Sequence, residues 1–168
     1  MDTISLGCIG SVLEETFVLI KPDAVKRGVA GKILKRLSDK GFILKKLELH
    51  PTVDKDLVKL HYQNIKDEPY FEKNCEFISN GPVYAAIFEG ENVVSGVRTL
   101  IGKKETPGTI RGDLCNHPTF NVIHGSDSIE NAKSEIDLWF PSNDFYSKNL
   151  KYMRAVKITN PSPYEEDL

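Results

Sequence analysis

Apolar and polar positions along the chain change period several times, and each change marks an element. Thr16-Phe17-Val18-Leu19-Ile20 is a short apolar, β-branched run, the mark of a buried strand. From Ala24 to Lys40 the period becomes helical, with Val29, Ile33, Leu34 and Leu37 on one face and Lys32, Lys35, Arg36 and Lys40 opposite. Gly28 and Gly31 predict two helical pieces rather than one, and Gly41 a C-terminal cap. Phe42 to His50 reads as a second strand, ended by Pro51. Asp54 is a candidate N-cap for a helix through about Tyr62, and Asp67 opens another that reaches Ser79. Asn80-Gly81-Pro82 is a turn, Val83 to Phe88 a third strand, and Glu91 to Ile101 a helix with Val94, Val97 and Ile101 on one side. Between Gly102 and Phe120 the periodicity vanishes. It returns in a short strand that ends at His124 and in a helix from Ser128, its N-cap, to Trp139, with Ile129, Ala132, Ile136 and Trp139 on the expected buried face.

Stripped of its helical excursion, this order is βαββαβ. It predicts an α+β fold of ferredoxin-like plan, a four-stranded antiparallel sheet with helices on one face. The expected division is an N-terminal extension (1–15), one domain (16–140) and a C-terminal tail (141–168). The chain's 168 residues, 40% hydrophobic, suffice for one well-buried core. A net charge of -2 gives no support to a dedicated nucleic-acid binder. Cys8, Cys75 and Cys115 are odd in number and widely spaced, which predicts free thiols in a reducing compartment. No apolar run approaches membrane-spanning length and no signal-peptide pattern leads the chain, so a cytoplasmic location is expected.

Chemistry concentrates in three places. Lys21 stands at the mouth of the first strand. Thr106-Pro107-Gly108-Thr109-Ile110-Arg111-Gly112-Asp113 combines glycines, which expose backbone N–H groups, with a guanidinium that can grip two phosphate oxygens. Asn121-Val122-Ile123-His124-Gly125-Ser126-Asp127-Ser128 delivers a histidine from a strand into a polar turn. Taken singly, each has a plain explanation: a solvated lysine, a common Gly/Thr loop, a histidine at a strand end.

Together, and with Phe17-Val18-Leu19-Ile20-Lys21-Pro22-Asp23 in front, these segments resemble the nucleoside diphosphate kinase family from about Thr16 to Phe140. The resemblance implies transfer of the γ-phosphate of a nucleoside triphosphate to a nucleoside diphosphate by a ping-pong mechanism. A phosphohistidine is the intermediate, and Mg²⁺ rides on the nucleotide phosphates. It makes His124 the nucleophile, with Glu135 orienting its ring, Ser126 beside that pair and Tyr62 near the histidine and the transferring phosphate. Lys21, Arg98 and Arg111 would bind phosphates, and Asn121, with Lys21, the sugar hydroxyl. Tyr70 and Pro118 would clamp the base, and Asp127 would reach the metal through water or only cap the following helix. A homo-oligomer is implied, a hexamer first, with a tetramer or dimer as alternatives.

The chain departs from the family between Gly102 and Pro107, where Lys103-Lys104-Glu105-Thr106 fills a loop several residues longer in most relatives. Lys104 then stands where a phosphate-touching threonine is usual, and the shorter loop bears on assembly. Three competing readings are a non-catalytic nucleotide-binding or scaffold relative, a protein phosphohistidine relay and nucleic-acid binding, to which the balanced charge gives no support. His50, His61 and His117 have no special setting in the sequence and read as surface or core packing.

Overall fold

The structure, a computed structural model, describes residues 13–117 and 119–142. The first strand, β1 (Leu13–Ile20), starts three residues before the apolar run and carries five consecutive buried residues, Thr16 to Ile20. Such a run needs cover on both faces. The sheet supplies it by placing β1 inside the order β2-β3-β1-β4, where β2 is Ile43–His50, β3 is Val83–Glu91 and β4 is Ile123–Gly125. All three pairings are antiparallel, with a register shift between Leu44 and Lys46 where β2 meets β3.

Because side chains alternate across a strand, β1 feeds two cores. Val18 and Ile20, with Ala86 and Phe88 of β3, pack under α2 (Ala30–Asp39) and α5 (Val93–Ile101), the two helices of the βαββαβ plan. That half matches the expectation of helices on one face. Phe17 and Leu19, with Val83 and Ala85, face the other way. There they meet α3 (Lys55–His61), α4 (Phe71–Ser79) and α7 (Ile129–Trp139) through Val58, Cys75, Ile78 and Trp139. The helices added to the ferredoxin-like plan thus cover the opposite face.

Local chemistry accounts for the breaks. A separate first turn, α1 (Pro22–Lys26), starts on Pro22 and ends near Gly28, whose φ of +71° suits glycine. Asp54 caps α3 by accepting from the Asp56 and Leu57 N–H groups, and Ser128 caps α7 by accepting from Asn131 N–H. The structure also corrects the sequence reading within the helices, and Glu91, read as a helix start, ends β3 instead. The helix expected from Asp67 begins at Phe71, after a 3₁₀ turn over Gln63–Ile65. The patternless 102–120 stretch holds α6 (Ile110–Leu114), too short to show a period. Ile129, expected in the core, is 53% exposed because it lies in the first turn of α7, and Ala132 and Trp139 bear the burial.

Phe88 is fully buried where β3 meets α2 and α5. Phe88→Ala is expected to lower unfolding free energy by about 3–5 kcal/mol in urea titration. Ile129→Ala should change it by no more than about 0.5 kcal/mol.

Candidate active site

Where β4 enters the sheet, the backbone is strained. Val122 has φ +56°, which a β-branched residue rarely adopts, and Ile123 N–H closes a γ-turn onto Asn121 C=O at 2.6 Å. The turn is held from outside: Val122 N–H donates to the Asp23 carboxylate at 3.1 Å, and Lys21 N–H donates to Val122 C=O at 2.8 Å. Past the turn, His124 lies opposite Leu19 of β1.

Glu135, on α7, lies with Oε1 3.0 Å from His124 Nε2. An ionised carboxylate only accepts, so Nε2 carries the proton and the Nδ1 lone pair is left free. The other carboxylate oxygen of Glu135 accepts from the buried Ser126 hydroxyl, and Ser126 N–H donates to Phe17 C=O at 3.1 Å. The carboxylate that orients the ring is therefore itself anchored to β1.

Around the histidine lies an open cleft lined by Arg98, Tyr62, His61, Asp127 and Glu135. Lys21 and Arg111 bond to the γ-turn that leads into His124. Lys21 Nζ donates to Asn121 Oδ1 at 2.7 Å, while Arg111, on α6, donates to Ile123 C=O at 2.9 Å and to Asn121 C=O at 3.4 Å. Burial first, and then the Arg111 charge, bring the Lys21 pKa down to about 8. Burial and the Arg98 charge likewise lower that of Arg111. Asp23 offsets part of this at Lys21. Cations held in mutual repulsion form a site for an anion of several charges. The Tyr62 hydroxyl, buried with no partner among the described residues, is held neutral well above the usual phenol range by that burial, so it remains a donor.

The rim is looser. Tyr70 is 48% exposed just before α4. Lys104 donates to His117 C=O at 3.1 Å, tying the short 103–106 loop to the segment that follows α6. Phe120 stacks at 3.9 Å on Phe77 and at 4.4 Å on His117. Asp127 accepts from the Asn131 side-chain amide at 2.6 Å, just ahead of the Ser128 cap of α7. Thr109 has no ligand-facing duty: it caps α6 through Gly112 N–H and donates to Thr106 C=O. Pro118 lies outside the described residues.

Structure thus brings His124, Glu135, Ser126, Tyr62 and Arg98 together, with Lys21, Asn121 and Arg111 beside them. Sequence reasoning missed His61, which packs against His124 with ring centroids 4.6 Å apart. Its signal was helical spacing: His61 falls three residues after Val58, on the buried face of α3. The Phe77–Phe120 stack, formed between distant segments, had none.

Comparison with known proteins agrees with this geometry. The sequence model of the family described as nucleoside diphosphate kinase matches residues 14–145. A nucleoside diphosphate kinase of a Thermoanaerobacter species is 49% identical over 134 residues, covering 77% of this chain and 98% of its own. Among solved structures, a Halobacterium salinarum nucleoside diphosphate kinase in complex with CDP is 39% identical with TM-score 0.72, over 77% of this chain and 89% of that one. A Borrelia burgdorferi nucleoside-diphosphate kinase, a transition-state mimic with bound vanadate and ADP, is 33% identical with TM-score 0.74, over 80% and 90%.

Lys21 is charged below its pKa of about 8 and neutral above it, so its attraction for any anion in the cleft fades as pH rises. Calorimetric titration with ADP should show affinity falling about tenfold between about pH 7 and pH 9, the worth of one charge-assisted hydrogen bond. Lys21→Arg should move that fall to higher pH.

Proposed function

Since the chain belongs to the nucleoside diphosphate kinase family, we propose a division of labour among its residues in moving a terminal phosphoryl group between nucleotides. His124 Nδ1 attacks the γ-phosphorus of a nucleoside triphosphate. The N–P bond forms as the bond to the β–γ bridging oxygen breaks, and the nucleoside diphosphate leaves with that electron pair. A second nucleoside diphosphate then takes the phosphoryl group through its terminal oxygen, restoring the free imidazole. The observation that carries this reading is the Glu135–His124 Nε2 contact, which leaves Nδ1 free beside a cleft lined by Arg98.

Lys21, Arg98 and Arg111 bind phosphate oxygens and balance the charge that spreads over them in the transition state. Tyr62 donates from its hydroxyl toward the transferring group. Asn121 and Lys21, already paired at 2.7 Å, take the sugar hydroxyl. Tyr70 and Pro118 hold the base, and Lys104 adds positive charge at the rim. A relay that passed phosphate to another protein would need no sugar contact, so the Lys21–Asn121 pair supports a nucleotide substrate.

The residues fit a Mg²⁺ carried by the nucleotide rather than by the protein. Glu135 is committed to His124 and Ser126, which leaves Asp127 as the cleft-lining carboxylate to reach the ion through water. When bound, the ion neutralises phosphate charge and aligns the oxygens.

We also propose a homo-oligomer, a hexamer first. β2 is an edge strand, and on it Ile43, Leu47 and Leu49 are 56%, 40% and 51% exposed. Such an edge is a ready surface for a second copy of the chain. No helix among the described residues is long and apolar enough to cross a membrane.

Incubation with γ-labelled ATP and Mg²⁺ should give an acid-labile, base-stable label that a nucleoside diphosphate removes. His124→Ala should abolish labelling with the fold intact by circular dichroism; persistent labelling would mean another nucleophile. The double variant Leu47→Glu, Leu49→Glu should sediment as smaller particles than the parent, and unchanged particles would place the contact elsewhere.

A further inference from the structure

His61 takes no part in the chemistry assigned above, yet its burial and contacts are specific. Only 8% of the residue is exposed, and its ring stands edge-to-face with His124, Tyr62 and Phe17 at centroid distances of 4.6, 4.7 and 5.7 Å. One nitrogen of each histidine and a Glu135 oxygen all lie within 4.8 Å of one another. Two histidines and a carboxylate so placed suggest a transition-metal site.

The hydrogen bonds argue against that. Trp139 Nε1–H can only donate, and it donates to His61 Nδ1 at 3.3 Å. Nδ1 therefore keeps its lone pair, and the neutral ring carries its proton on Nε2. A metal at Nε2 would force that proton onto Nδ1, against the indole N–H. Glu135 is in any case committed to His124 and Ser126. The same indole blocks a second proton at Nδ1. Burial, together with the nearby His124 and Lys21, pushes the His61 pKa well below the usual imidazole range. Nε2 is buried with no acceptor among the described residues, so nothing compensates a charge there.

We propose that His61 is a positioning residue for His124: an imidazole locked by Trp139 in the neutral Nε2–H form, whose ring limits rotation of the nucleophile's ring. Glu135 sets which nitrogen of His124 is free, and His61 sets where that nitrogen points. A charged group in this position would perturb the balance of charge at the transferring phosphoryl, and the neutral lock prevents it. This inference rests on His124 being the nucleophile.

His61→Phe keeps a ring of similar size and removes both nitrogens. Rapid-quench measurement should show the rate of His124 phosphorylation by ATP falling about tenfold or more, with ATP affinity within about twofold of the parent. Long-range ¹H–¹⁵N spectra of the parent should show His61 protonated at Nε2 alone from about pH 5 to pH 8. In Trp139→Phe, which leaves His61 in place, the same spectra should show the Nδ1–H form. Phosphorylation by His61→Phe within about twofold of the parent would overturn the inference. So would a parent His61 protonated at Nδ1, a reading that decides even if His61→Phe does not fold. His124→Ala is run in parallel. If it still labels, the nucleophile assignment fails; if it is silent while His61→Phe is unimpaired, only the positioning role falls.

Discussion

Everything at the site depends on three antiparallel residue pairs between β1 and β4: Val18 with Gly125, Leu19 with His124, and Ile20 with Ile123. The pairing is short, but β1 is buried on both faces and cannot slide. A slip of one residue would send Val18 and Ile20 into the core meant for Phe17 and Leu19. With β1 fixed, so are the Lys21 that ends it, the Phe17 carbonyl that receives Ser126 N–H, and the strand on which His124 stands. The tight fit extends to Gly125, where a Cβ would come within 2.7 Å of Ile101 Cδ1 and 3.1 Å of Val97 Cγ1. His124 is thus positioned by a strand buried on both faces, although its own strand has three residues.

The charges form the second layer. Lys21, Arg98 and Arg111 arrive from the junction of β1 and α1, from α5 and from α6, and burial first and a neighbouring positive charge second lower the pKa of Lys21 and of Arg111. Arg111 spends two donors on the carbonyls of Asn121 and Ile123, which fixes its plane before any ligand arrives. Dipoles and charges set in advance need little rearrangement during the reaction, and that is how a site with one nucleophile and no strong base gains rate. His61 and Glu135 extend the same logic to the imidazole, one acting on its rotation and the other on its proton.

Much of this was legible in the sequence, because it was written in local pattern. The apolar run at Thr16–Ile20, the caps at Asp54 and Ser128 and the break near Gly28 all follow from neighbours in the chain. Lys21, Asn121, Arg111 and His124 were found through motifs, and the fold brings them together. What escaped depends on distant pairing or on length. Helix α6 is five residues, too short for a period, and the second helical layer arises because α3, α4 and α7 find the face that α2 and α5 leave open. The Lys104–His117 contact and the ring stack of Phe77, Phe120 and His117 join segments whose meeting no local signal announces.

The left-handed backbone at Val122 carries a consequence for how this protein can change. Its φ of +56° costs about 1–3 kcal/mol, which a glycine there would relieve. Yet the valine is fully buried, and losing its side chain would cost about 1.5–3 kcal/mol. The two terms nearly cancel, so Val122→Gly at this turn would change folding stability little while loosening the strand that bears His124. Stability and turnover are uncoupled at this position, and only activity can keep watch over it.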